Sequence, residues 1–219
     1  MKRTVLSIVF FLLLTVSGFT QKTTPPKSNS TMKELLKTLD NHLKTARPKY
    51  YASLNAPLTE PEIDALEKKF NVKLPTDVKM LYQWKNGQND NCFEAFVNNG
   101  MFTPLQQVLS SAADLNEMIG TDFDIKNWWN RNWLPLFSTG GGDEICYDMA
   151  GIFTNQPGQI IEFWHETPDR EVIAPSLESF IAAINTYYET TLPPAFDKFF
   201  ILKENINGYP KRFEAKGKL

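Results

Sequence analysis

Histidine is nearly absent from this chain of 219 residues, which holds only His42 and His165, and cysteine is as scarce, with Cys92 and Cys146 alone. So few imidazoles thin the options for general acid–base catalysis. Positive charge is not in excess either: the formal net charge is -2, from 23 Lys and Arg against 25 Asp and Glu. A nucleic-acid binder advertises a cationic face to displace counterions from phosphates, so DNA and RNA are poor candidate partners. Lys211, Arg212, Lys216 and Lys218 near the C-terminus read as a solvated tail. No apolar run is long enough to span a bilayer. The longest, Val5 to Val16, is about 12 residues where roughly 20 are needed.

That run carries a different message. Lys2 and Arg3 precede it, and Ser17, Gly18 and Thr20 follow, which is the pattern of a secretory signal peptide cut near residues 18–21. The expectation is a leader over residues 1–20 and an exported protein, periplasmic or extracellular. No Cys stands at the cleavage point to take lipid. Residues 21–30, rich in Thr, Pro, Lys and Ser, read as a flexible linker with little to bury. In an oxidising compartment Cys92 and Cys146 admit two readings, a disulfide closing a long loop or two thiols packed as small hydrophobes. The second is the plainer.

The rest is rich enough in apolar groups for one folded domain, with 16 Phe, 7 Tyr and 5 Trp. Thr31 with Glu34 forms a capping pair, and Met32, Leu35, Leu36, Leu39 and Leu43 recur at helical spacing, so a helix is predicted over about 32–46. Thr59 with Glu62 opens a second, carrying Ile63, Leu66 and Phe70 and ending at Asn71. Thr76 is placed as the cap of a third, closed by Asn86-Gly87. Residues 88–99 read as a loop or short strand. Thr103, Pro104 and Gln106 then open a helix through Leu109. From Trp133 the period changes. Trp133–Phe137, Glu144–Met149 and Gln159–His165 read as strands joined by Gly-rich turns, and a last helix from Ser176 stops at Pro193 and Pro194. Residues 191–219 form a C-terminal extension whose Phe196, Phe199, Phe200 and Ile201 pack back before a frayed end. Helices, then strands, then a helix predict an α+β fold, with an antiparallel sheet covered mainly on one side. The alternation of a doubly wound nucleotide fold is absent.

Several residues invite chemistry. Gly140-Gly141-Gly142-Asp143 lacks the Lys-Ser or Lys-Thr of a phosphate loop and joins two strands, so flexible backbone with a bracing Asp143 is the better reading. Glu144 and Asp148 lie about 13 Å apart along a strand, too far to share one ion. Glu162 and Glu166 are too widely spaced for a glycosidase pair. Cys146 with His165 would make a nucleophile pair if their strands adjoined, but no third group orients it. Trp128, Trp129 and Trp133 crowd a polar stretch. Trp133 reads as core, and one of Trp128 and Trp129 should face outward. With Asp143, Glu162 and Glu166, and with Asp169 and Glu171 close in sequence, they would give an aromatic and acidic surface for a cationic partner. The bland alternative is a solvated charged face.

The ordered set Pro57-Leu58-Thr59-Glu60, Ile63, Leu66-Glu67, Leu74-Pro75, Asn86-Gly87, Trp133-Leu134-Pro135-Leu136, Gly141-Gly142-Asp143, Ile145, Asp148, Gly158 and His165 resembles the SUKH superfamily, the Smi/Knr type of cell-wall-assembly-regulator domain. The resemblance spans about residues 50–190, within a domain read as 31–190 once the N-terminal helix is added. It implies an α+β module used for binding other proteins, with no cofactor and no shared catalytic residues. Bacterial members of this kind include immunity proteins that neutralise polymorphic toxins, and fungal relatives are scaffolds in cell-wall synthesis. A leader is a departure, since bacterial members are commonly cytoplasmic, so a toxin partner would act in the envelope or enter through it. The competing expectation is an envelope hydrolase with a site near Asp143, Cys146 and His165.

Overall fold

A computed structural model describes residues 31–202 and 206–219; the expected leader and linker lie outside the described residues. Helix α1 (Met32–Ala46) opens on the reciprocal capping box of Thr31 and Glu34. It buries Met32, Leu35, Leu36, Leu39 and Leu43, the stripe its spacing demands. A short α2 (Pro48–Ala52) follows directly. Helix α3 (Glu60–Phe70) has the second capping box, at Thr59 and Glu62, and stops on Asn71 in the left-handed conformation. Helix α4 (Thr76–Trp84) starts one residue earlier than predicted, since Pro75 and not Thr76 stands at the cap.

Asn86-Gly87 does more than stop a helix. The Asn86 Oδ1 accepts from the Leu105 backbone N–H at 2.9 Å, the first residue of α5 (Leu105–Glu117). The expected local cap at Thr103 is thereby replaced by one from a distant turn. Gly87, at φ +71°, lies where a Cβ would sit 2.4 Å from the Pro104 nitrogen, so no side chain fits.

The sheet is an antiparallel meander in chain order: β1 (Met101–Phe102), β2 (Trp133–Ser138), β3 (Glu144–Asp148), β4 (Gln159–Phe163), β5 (Asp169–Ala174) and β6 (Lys211–Glu214). Its register assigns each residue a face. Ile145, Tyr147 and Ile160 turn toward the helices, where α1 packs on α6 (Leu177–Thr190) and the main core forms. The Asn185 amide donates to the Leu35 carbonyl at 3.0 Å and ties these helices together.

The opposite face holds a smaller core of Trp133, Cys146, Ile161, Phe163 and Val172, covered by Ala112 of α5 and by Trp129. Both cysteines are free thiols.

Two expectations change. The third predicted strand ends at Phe163, so Trp164 and His165 belong to the following turn. The frayed end is a strand, because Lys211–Glu214 pairs with β5. The extension is also pinned earlier: Phe199 and Phe200 carbonyls accept from the Asn99 and Asn98 N–H groups, and Phe196 and Phe200 pack against Tyr187 and Tyr188. Among the described residues no helix is long and apolar enough to cross a membrane.

Candidate functional site

The chemistry-bearing residues separate by sheet face. Asp148, fully buried, accepts from the backbone N–H groups of Ala150, Gly151 and Ile152 and from the Gln159 amide, at 2.7–3.0 Å. Four donors saturate this carboxylate, which anchors the loop between β3 and β4. Cys146 is buried in the smaller core, and burial pushes its thiol well above the ordinary range, so a reactive thiolate is disfavoured. It pairs with Ile161, four residues before His165, or about 13 Å along the strand. The expected approach of Cys146 and His165 is not formed.

Asp143 and His165 do meet. The Asp143 Oδ1 accepts from the His165 backbone N–H at 3.0 Å and lies 2.8 Å from the ring Nδ1. His165 is exposed, and its Nε2 lies 3.7 Å from Glu166. Gly142, at φ +104°, sits under this ring, where a Cβ would come within 3.0 Å of it. The Gly-rich turn thus makes room for a clamp between the β2–β3 and β4–β5 turns, and Asp143 braces a neighbouring turn as well as its own.

The Trp pair is divided from the acidic residues. Trp129 is 2 % exposed, its indole N–H donating to Asn116 Oδ1 at 2.9 Å, and it packs edge-on against Trp133 and Phe163. It is core. Trp128 is half-buried on the same side, beneath the Arg170 guanidinium. Buried Arg170 donates to the carbonyls of Trp128, Trp164 and Thr167 and so fixes the β4–β5 turn. The predicted surface joining Trp128 and Trp129 to Glu162 is corrected on this point, because the two groups lie on opposite faces of the sheet.

An aromatic and acidic surface exists nonetheless, with Glu162 and Glu171 beside a different tryptophan. Glu162 and Glu171 face each other across β4 and β5. By strand alternation Trp164, 41 % exposed, continues the face of Glu162. They border a cavity of about 320 Å³ whose far wall comes from the extension, with Ile201, Leu202, Ile206 and Pro210. The Arg212 Nε lies 2.8 Å from Glu171 Oε1. Among the described residues Glu162 has no such partner. Burial, then the charges of Glu171 and Asp143, push its carboxyl up to about 7. Glu144 faces the other side, accepting from Ser138 Oγ at 3.0 Å, and burial raises it to about 8.

Trp164 and the extension were the residues sequence reasoning passed over for this role. The signal available was the period of two running on from Ile160 and Glu162. No group of three or more His, Cys, Asp or Glu is gathered for a metal ion among the described residues.

Comparison with protein families gives one finding: the model of the SMI1 / KNR4 family (SUKH-1) matches residues 57–183, more than half of the chain. No curated protein matches it.

Proposed function

Because the chain belongs to the SMI1 / KNR4 family (SUKH-1), we propose that it is a protein-binding module without catalytic activity of its own. The observation that carries this reading is the concave aromatic and acidic surface around Glu162, Trp164 and Glu171, a shape and charge suited to contact with another macromolecule. The buried polar groups elsewhere are engaged in holding turns, as Asp148 and Arg170 are. With the signal-like N-terminus, the reading becomes an exported immunity protein or envelope regulatory factor. Its partner is then another protein, such as a polymorphic toxin active in the envelope.

The Asp143–His165 contact keeps a hydrolase as the second reading. What it lacks among the described residues is a nucleophile beside His165, since Cys146 is buried elsewhere. One experiment separates the two. The protein is co-expressed with the product of the adjacent gene and examined by size-exclusion chromatography with light scattering, and toxicity of that product is scored with and without it. A stoichiometric complex and relief of toxicity are expected. Absence of a complex, together with ester or glycoside turnover abolished by His165→Ala, would establish the hydrolase instead.

A further inference from the structure

The cavity at the end of β4 and β5 has an unusual construction for an interaction surface. One wall is sheet and the turn after it, with Glu162, Glu171 and Ile173 and then Trp164, and the other is the extension, from residues beyond the segment matched by the family. Its volume of about 320 Å³ is at the small end of the range that accepts a ligand, enough for one long side chain but not for a helix or a loop.

Its chemistry is equally selective. Apolar Ile173, Ile201 and Ile206 would line an alkyl stem, the Trp164 face would receive a cation, and Glu162 lines the same cavity with a carboxylate that no described residue pairs. Of the two carboxylates, Glu171 is already paired from outside the cavity, by Arg212 of β6. Two carboxylates lie opposite one another, and the one cation beside them, Arg212, is on the far side of Glu171, so the charge of Glu162 is left to be met from outside. Burial and the neighbouring charges of Glu171 and Asp143 favour the neutral form of Glu162, and a cation arriving beside it would favour the carboxylate.

We propose that this cavity receives one basic side chain, an Arg or Lys presented by the partner protein, and that it is the anchoring point of that partner on this chain. The inference rests on the protein-binding reading and adds the chemistry of the contact. A carboxylate beside an aromatic wall makes one residue of the partner dominate the interface, as hot-spot residues do.

The probe is Nα-acetyl-arginine methylamide, with the citrulline analogue as its uncharged control, titrated into the purified protein and followed by 15N–1H correlation NMR. Saturable shifts at the Trp164 indole and at the Ile173 and Ile201 amides are expected from the arginine probe, at least tenfold weaker from citrulline. Glu162→Gln should lose the response by a similar factor while its circular dichroism and melting temperature stay close to those of the parent. Trp164→Ala, at a partly exposed position, supplies a second variant. Equal binding of arginine and citrulline analogues, or an unchanged response in Glu162→Gln, overturns the proposal. So does a partner complex equally tight with Glu162→Gln, Trp164→Ala and the parent chain, which would leave the binding-module reading standing. Failure of the parent chain to form any complex instead removes that reading.

Discussion

At the residue scale, the charged groups that matter most are those that close turns. Glu67 on α3 accepts from the Leu74 N–H at 2.6 Å and from Lys73 and Lys79 at 2.9 Å, joining α3 to α4. Burial raises its carboxyl, yet the hydrogen bonds from Lys73, Leu74 and Lys79 outweigh this and hold it at about 2. Glu67→Ala leaves the Leu74 N–H buried without an acceptor, a loss of about 1–3 kcal/mol, measured by urea unfolding. Because the folded-state value lies below the unfolded one, this stabilisation is present above about pH 4.5 and fades as the pH falls toward about 2, so the deficit of the variant should narrow over that window. Glu144 has the opposite sign. Its folded value of about 8 means that ionisation costs nothing below about pH 4.5 and progressively more up to about pH 8. Glu144→Gln should therefore match the parent in thermal unfolding at about pH 4 and be the more stable of the two at about pH 9.

At the element scale, what the sequence made legible was local. The two capping boxes and the stripes of α1 and α3 involve residues three and four apart, so their partners lie within the same turn. The β2, β3 and β4 segments declared themselves by apolar runs between glycines. What stayed hidden depends on distant chain. The N-terminus of α5 is capped by Asn86, and β6 is a strand only because β5 offers its edge. Trp128 and Trp129 could not be assigned to a face from spacing, because the turn that carries them is held by Arg170 from another strand. Of the acidic residues bordering the cavity, Glu162 and Glu171 were legible in the sequence, whereas its tryptophan, Trp164, stands on a different turn from Trp128 and Trp129. Ending the protein at Thr190 tests the weight of the extension. It removes β6 and the Phe196 and Phe200 packing, a loss of several kcal/mol, and at about 2–4 °C per kcal/mol for a chain of this size the melting temperature should fall by on the order of 10 °C. Scanning calorimetry reads this directly.

At the scale of the whole molecule, the family segment and its two flanks form one body. Residues 57–183 supply the meander through β5, while α1 and the extension, both outside that segment, complete the helical core and one wall of the cavity. Relatives sharing the segment without these flanks would share the sheet and lack this recess.

The seam between α1 and α6 has a temporal side. Leu35 and Asn185 meet across 150 positions of chain. A polypeptide emerging N-terminus first would present its opening helix, greasy on one flank, long before the mate that shelters it exists. The sheet can grow rung by rung as successive hairpins appear, but the helical layer must wait for nearly the entire message to be read. During synthesis the apolar flank of the first helix therefore goes uncovered until the last one has been made.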